Sequence, residues 1–136
     1  MKKTIFSRKK YHFKFKNTLS FKKHILKFGN MGFKIKNATC LKESQEVLLK
    51  LKILKILKKI KLTKTKIFFA LNSFYSATKL PLESGMGKGK GEIHYFFGYY
   101  KKGFILFELK TIPLIKAMEL QKQLNKIKFL SFKIVY

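Results

Sequence analysis

The stretch LKESQEVLLKLKILKILKKIKL, residues 41–62, carries the clearest periodic pattern in the chain. Apolar residues recur there at the spacing i, i+4, i+7 and i+11, which is typical of one face of an α-helix. These residues are Leu49, Ile53, Ile56 and Ile60. Lys52, Lys55 and Lys59 form a second stripe, which is either a solvated face or a contact surface for a polyanion. The pattern predicts an amphipathic helix with Thr39 as its N-cap.

Shorter apolar patterns on both sides of this helix predict β-strands. They lie at residues 13–16, 33–36, 67–71, 93–100, 104–109 and 129–136. Two of them flank Lys101-Lys102-Gly103, which predicts a β-hairpin with glycine in its turn. Ile112-Pro113 predicts the start of a second helix, because proline is favoured at a first helical position. Residues 28–32 are predicted to form a turn, and residues 72–91 to be irregular.

The order of these elements predicts a single α+β domain, with two helices packed on a mostly antiparallel sheet. We expect a basic N-terminal arm at residues 1–27 and the α+β domain at residues 28–136. Within that domain, residues 72–92 are expected to form an extended loop that is too long to lack a function.

The charge of the chain predicts a polyanionic partner. The chain has 32 basic and 6 acidic residues among 136, a formal net charge of +26. Such an excess repels itself unless nucleic acid or an anionic membrane surface neutralises it. With 15 phenylalanines and 6 tyrosines the chain has enough apolar surface to fold. Lysines interrupt its apolar runs, so we expect no membrane insertion.

Two segments are the candidate RNA-binding sites. Residues 85–91 alternate glycine with other residues, which exposes backbone N–H groups and allows close approach to a phosphate. The segment does not match the P-loop motif, and its alternative interpretation is a flexible, solvated loop. The arm interleaves basic and aromatic residues. The predicted RNA-binding residues are Arg8, Lys9, Lys10, His12, Lys14, Lys16, Lys34, Lys36, Met86, Gly87, Lys88, Gly89, Lys90 and Gly91.

The residue types that carry catalysis are scarce. The chain has no aspartate, and its three histidines and Cys40 lack metal-ligand spacing. A dyad of Cys40 with a histidine could form only in space. The simpler interpretation is that Cys40, just before the first helix, packs as a small hydrophobic residue. We therefore predict that the chain is not an enzyme and has no cofactor or metal site. A small nuclease or RNA-modifying protein is the alternative.

The segment KLPLESGMGKGKG at residues 79–91 is followed by Tyr95-Phe96, by the stretch LFEL at residues 106–109, and by Ile112-Pro113. With Phe28-Gly29 and Gly32-Phe33 upstream, this order and spacing resemble the bacterial-type large-subunit ribosomal protein sixteen, the universal L-sixteen family, in an organellar version. The resemblance covers roughly residues 6–135. It departs from the family at Gly85 and Ala70, where the family usually carries arginine.

The resemblance implies a two-layer α+β sandwich of the ribosomal hammerhead type. It implies as partners large-subunit rRNA, A-site tRNA near the peptidyl-transferase centre, and neighbouring large-subunit ribosomal proteins. The abundance of Lys, Phe and Ile is typical of A+T-rich codons. We therefore expect a protein of the mitochondrial matrix and ribosome, encoded in the organelle, with a plastid as the alternative. A basic protein that binds anionic bilayers is the competing functional class.

Overall fold

The computed structural model describes residues 10, 14–16, 18–20, 23–60, 65–83, 85, 87, 89–127 and 130–136. Within these residues it contains seven strands and two helices. In chain order they are β1 (Met31–Ile35), β2 (Thr39–Lys42), α1 (Glu43–Lys59), β3 (Lys66–Phe69), β4 (Tyr75–Lys79), β5 (Glu92–Tyr100), β6 (Ile105–Lys110), α2 (Leu114–Leu124) and β7 (Phe132–Val135).

The strands form two antiparallel sheets, and the predicted α+β class is confirmed. The first sheet has the order β3-β6-β1-β7 and the second has the order β2-β5-β4. The core contains aromatic residues of the four-stranded sheet. The Phe33 ring stacks on Phe107 at 4.5 Å between centroids, and Phe132 meets Phe33 edge-on at 6.5 Å. All three side chains are fully buried, so they anchor the sheet to the helices that cover it.

The predicted first helix is confirmed, and the four apolar residues of its stripe are all buried. Its predicted start is wrong. Thr39 is not the N-cap, because residues Thr39–Lys42 pair with β5 as a strand. The helix begins at Glu43, and the Lys42 backbone N–H donates to Gln45 Oε1 at 3.0 Å. The long-range strand pairing therefore overrides the local capping preference of threonine.

The predicted hairpin is wrong, although both of its strands exist. β5 pairs with β2 and β4, whereas β6 pairs with β1 and β3. Gly103 adopts a φ of +82°, which favours glycine, and its N–H donates to Ile35 O at 2.9 Å. The Ile35 N–H in turn donates to Phe104 O at 3.0 Å. These two bonds direct the chain onto β1, so the turn carries it from one sheet to the other.

The segment predicted to be irregular contains a strand. Tyr75–Lys79 pairs with β5, with a bulge between Ala77 and Thr78. Its sequence, YSATK, has only Tyr75 and Ala77 as apolar residues, and the buried position is the polar Ser76, so the residues give a weak strand signal. The predicted strand at residues 13–16 is also absent among its described residues, because Lys14, Phe15 and Lys16 lie outside any strand. The remaining elements lie within a few residues of their predicted positions. The domain limits stay a prediction.

A buried polar contact joins α1 to the three-stranded sheet. The Tyr100 hydroxyl donates to Glu46 Oε1 at 2.5 Å and accepts from the Asn72 N–H at 2.8 Å. Glu46 and Tyr100 are 4% and 3% exposed. Gly98 lies against both groups, and a Cβ there would collide with the carboxylate and the hydroxyl. Burial, with the neighbouring Glu46 carboxylate, raises the pKa of Tyr100 well above its ordinary value, so the hydroxyl keeps its proton.

Candidate nucleic-acid interface

The N-terminal arm contacts both sheets: residues 10 and 14–16 lie on the three-stranded sheet, whereas residues 23–27 lie on the four-stranded one. The Phe15 ring contacts Phe97 at 6.3 Å and Tyr99 at 5.6 Å between centroids. The Tyr99 hydroxyl donates to the backbone carbonyl of Lys16. Lys14 and Lys16, on either side of Phe15, are exposed. The aromatic residue therefore fixes the position of the arm while its two lysines face outward.

The arm also contacts the base of the glycine–lysine loop. Lys10 Nζ lies 3.2 Å from Glu92 Oε1 and 3.3 Å from Lys90 O, and Lys90 Nζ donates to Lys10 O at 3.0 Å. Such an exposed ion pair contributes little to stability, about 1 kcal/mol or less. Its effect is on position, since it brings together two cationic segments that lie 80 residues apart in the sequence. The sequence predicted each segment but not their contact.

The glycines of the loop differ in what the fold requires of them. A Cβ at Gly91 would lie 2.5 Å from Lys79 O, so the close approach to β4 demands glycine there. A Cβ at Gly85, Gly87 or Gly89 would meet nothing within 4 Å. Among these four loop glycines, the described part of the fold therefore requires only Gly91, at the base of the loop. The outer glycines keep the backbone accessible to an external group.

The structure separates the other predicted RNA-binding residues. Lys34 lies in β1, opposite Lys133 of β7, and is half-buried. Lys36 is exposed just beyond β1, and its N–H donates to Ser131 O at 3.0 Å. Both therefore belong to the four-stranded sheet, whereas arm residues 10 and 14–16 and the loop lie on the three-stranded one. Arg8, Lys9, His12, Met86 and Lys88 lie outside the described residues.

The outer face of α1 is more apolar than predicted. The lysine stripe at residues 52, 55 and 59 is exposed. Four apolar side chains of the helix are also exposed, by 41 to 64%: Val47, Leu48, Leu51 and Leu54. The prediction missed these residues because it considered only the apolar stripe that faces the core. Whether the lysines contact RNA stays a prediction.

Cys40 does not pack as the small buried residue that was predicted. It lies in β2, where pairing with β5 leaves its side chain exposed. Desolvation by its surroundings still raises the pKa of the thiol to about 11. A nucleophilic cysteine needs the opposite shift, because the thiolate is the reactive form. Within the described residues, no group of three His, Cys, Asp or Glu side chains could hold a metal ion. No helix among them is long and apolar enough to cross a membrane.

Glu108 is the structurally important residue that the sequence analysis missed. Its carboxylate is buried in β6 and accepts the N–H groups of Phe28 and Gly29, both at 2.7 Å, and that of Lys27 at 3.1 Å. These charge-assisted bonds hold residues 27–29 on the four-stranded sheet. The sequence did contain an indication of this role. A glutamate inside the apolar strand ILFELK must have hydrogen-bond partners when it is buried.

Comparison with known proteins agrees with the sequence motifs. A sequence model of the family described as Ribosomal protein L16p/L10e matches residues 1–132. The large ribosomal subunit protein uL16m of Chondrus crispus is 34% identical over 114 residues, 82% of this chain and 81% of that protein. The large ribosomal subunit protein uL16 of Flavobacterium psychrophilum is 50% identical over 42 residues, 31% of this chain and 30% of that protein. The corresponding protein of Mycoplasma genitalium is 39% identical over 56 residues.

The family match spans nearly the whole chain and includes both the arm and the glycine–lysine loop. The relative from Chondrus crispus extends the similarity over most of both proteins. The resemblance seen in the sequence is thereby confirmed. The chain belongs to the L16p/L10e family and is a structural constituent of the large ribosomal subunit.

Proposed function

We propose that the chain binds large-subunit rRNA through its arm and its glycine–lysine loop, and helps to organise the region that receives A-site tRNA. The observation that carries this proposal is the contact of Lys10 with Lys90 and Glu92. It joins the two cationic segments into one surface. Exposed Lys14 and Lys16 extend that surface along the three-stranded sheet.

The chemistry of this surface fits a phosphate backbone. Lysine ammonium groups neutralise phosphates without fixing a bidentate geometry, so they contribute affinity more than specificity. The outer loop glycines carry no side chain that would hinder a closely approaching phosphate, and the Gly87 N–H donates to Gly85 O at 2.8 Å within the loop. Specificity then comes from the shape of the folded surface, since RNA helices are recognised mainly by shape and by their backbones. The role is architectural, with neighbouring ribosomal proteins as further partners and no catalytic step.

The proposed location is the mitochondrial ribosome. The relative from Chondrus crispus is the large ribosomal subunit protein uL16m. The lysine, phenylalanine and isoleucine content of this chain is typical of an A+T-rich organellar gene. A plastid ribosome is the alternative. Both locations leave the rRNA-binding proposal unchanged, because that proposal depends on the charged surface alone.

A salt titration with charge-matched variants tests the proposal. One variant carries Lys14→Gln and Lys16→Gln. Its control carries Lys122→Gln in the last turn of α2 and Lys126→Gln just beyond the helix, both at exposed residues. Both variants lose two positive charges. Each lysine that engages a phosphate contributes roughly 0.7 to 0.9 to the slope of log K against log salt. The arm variant should lower the slope for cognate rRNA by about 1.5, whereas the control should lower it little.

Two outcomes would contradict the proposal. Equal slopes for the arm variant and its control would mean that binding responds only to total charge. Stronger binding to anionic vesicles than to the rRNA fragment at moderate salt would favour the membrane-binding class instead. A scrambled duplex of equal length measures the part of the affinity that carries no specificity. The cognate fragment should bind more tightly than this duplex, with a parallel slope.

A further inference from the structure

A groove lies on the four-stranded sheet, away from the arm–loop surface. It runs between residues 23–28 and β3, over the strand β6, and its volume is about 510 Å³. That volume falls within the range of small-ligand sites. Two bonds hold the near wall in place: the Ile105 N–H donates to Lys23 O at 3.0 Å, and the Asn30 N–H donates to Leu109 O at 3.0 Å. The groove is therefore built from backbone that is fixed to the sheet.

The walls of the groove are aromatic and apolar. Phe28 and Phe68 line it from opposite sides, with ring centroids 5.4 Å apart and an angle of 31° between the rings. Phe28 and Ile25 are each 65% exposed. Exposed apolar side chains that line a concave surface mark a binding site more often than scattered ones do. A planar ring system could extend the stack on the free part of the Phe28 ring.

Glu108 also lines the groove and contributes a fixed hydrogen-bond acceptor. Within the described residues, its Oε2 accepts the N–H groups of Lys27, Phe28 and Gly29, whereas Oε1 accepts only that of Lys27. A carboxylate oxygen has room for two donors. Oε1 can therefore accept a further bond from an N–H group of a ligand. A phosphate at this position would be repelled.

Lysines lie on the outer side of the groove. Lys23 and Lys27 line it and are exposed, and Lys23 Nζ also lies 5.2 Å from the centroid of the Phe104 ring. The groove thus combines an aromatic wall, a carboxylate acceptor and a cationic rim. An acyl chain would leave the remaining acceptor capacity of Glu108 Oε1 unused, and a free anion would be repelled by the carboxylate. An unpaired nucleotide satisfies all three features through its base, its amino group and its phosphate.

We propose that this groove holds one unpaired nucleobase of rRNA, stacked on Phe28 and donating an exocyclic amino group to Glu108 Oε1. Adenine, cytosine and guanine carry such a donor, and uracil does not. The inference rests on the proposed rRNA binding but locates a separate contact, on the other sheet from arm residues 10 and 14–16 and from the loop. It also assigns a role to the exposed Phe28 ring that phosphate binding does not require.

Ultraviolet cross-linking of assembled large subunits, followed by mass spectrometry of nucleotide-bearing peptides, tests the proposal. Adducts of adenine, cytosine or guanine on the peptide that contains Phe28 or Phe68 are expected. A uracil adduct there would overturn the assignment of the base. Adducts found only on peptides of residues 1–20 or 85–91 would overturn the groove site while supporting the proposed function. A protein cross-link at Phe28 would mean that a polypeptide occupies the groove. Absence of RNA adducts anywhere on the chain would contradict the proposed function itself.

A substitution gives an independent measurement. Phe28→Leu keeps an apolar side chain but removes the stacking ring, and Tyr136→Leu, at a residue that is 85% exposed, serves as the matched control. In Phe28→Leu subunits, one adenine or cytosine should gain reactivity toward dimethyl sulfate, by about fivefold or more if stacking is worth about 1 kcal/mol or more. The control should leave that nucleotide unchanged. Unchanged reactivity throughout the rRNA of Phe28→Leu subunits would overturn the stacking contact.

Discussion

Replacement of Tyr100 by phenylalanine should destabilise the fold, because it removes one hydroxyl that hydrogen-bonds both the buried Glu46 carboxylate and the backbone N–H of the exposed residue Asn72. The Glu46 carboxylate loses a donor at 2.5 Å, and the Asn72 N–H loses an acceptor at 2.8 Å. A hydrogen bond to a charged group contributes about 1.5 to 3 kcal/mol, and an ordinary hydrogen bond such as that of the Asn72 N–H contributes about 0.5 to 1.5 kcal/mol. The expected loss is therefore about 2 to 4.5 kcal/mol, a large share of the stability of a domain of this size.

The assay is urea unfolding followed by circular dichroism, at a salt concentration high enough to screen the charge of +26. Tyr99→Phe is the matched control, since it removes the neighbouring hydroxyl, whose acceptor is the exposed carbonyl of Lys16. It should cost about 1 kcal/mol or less. Adding Glu46→Gln to Tyr100→Phe should restore part of the loss, because a neutral amide is less costly to bury than a carboxylate. Equal losses for Tyr100→Phe and Tyr99→Phe would refute the reasoning.

The same contact predicts a dependence on alkaline pH. Burial and Glu46 raise the pKa of Tyr100 in the folded state. The folded state therefore holds this proton more tightly than the unfolded state does. Its stabilising effect is complete below the ordinary tyrosine pKa of about 10 and falls by up to about 1.4 kcal/mol per pH unit above it. The pKa of Tyr99 is also raised, by desolvation and by Cys40, so the test uses a background of Cys40→Ser and Tyr99→Phe. In that background Tyr100→Phe should lower the slope, and an unchanged slope would show that other groups cause it.

Three further predictions concern the thiol and the loop. Cys40, whose pKa is raised from 9.0 to about 11, should react with iodoacetamide about a hundredfold more slowly in the folded protein than in urea, and equal rates would show that the thiol is not shifted. Gly91→Ala should lower the melting temperature, because its Cβ would collide with β4, whereas Gly87→Ala should not; equal melting temperatures would contradict the close approach. Lys88→Glu combined with Lys90→Glu should impair subunit assembly or A-site tRNA binding without unfolding the protein, and normal assembly and decoding would show that the loop is not a functional contact.

The sequence predicted the elements of the fold better than their partners. The periodicity that defines α1 is local, so the four buried residues of its stripe could be identified without knowledge of the sheets. The pairing of β5 and β6 depends instead on distant residues, since Gly103 donates to Ile35 and redirects the chain. β4 escaped prediction for a related reason. Its residues become a strand by pairing with β5, not through a pattern of their own.

In the candidate interface, too, the sequence predicted the segments but not the contacts between them. The glycines and lysines of the loop could be identified from their alternation, and the arm from its charge. Their contact could not, because nothing local in the sequence relates Lys10 to Glu92. Glu108 is an intermediate case. Its position in an apolar strand indicated that it must be paired, but its partners are backbone N–H groups, which leave no signature in the sequence.

The contacts of the acidic residues explain how so basic a chain can fold while its positive charge stays available to a partner. Four of its six glutamates have partners within the described residues. They are Glu46, Glu92, Glu108 and Glu119. Glu46 joins α1 to the three-stranded sheet, Glu92 holds Lys10 of the arm, and Glu108 holds residues 27–29 on the four-stranded sheet. Two of these contacts thus fix the N-terminal segment, one on each sheet. Glu108 binds backbone N–H groups and no lysine side chain among the described residues. It therefore orders the segment while leaving the lysine side chains available to a polyanion.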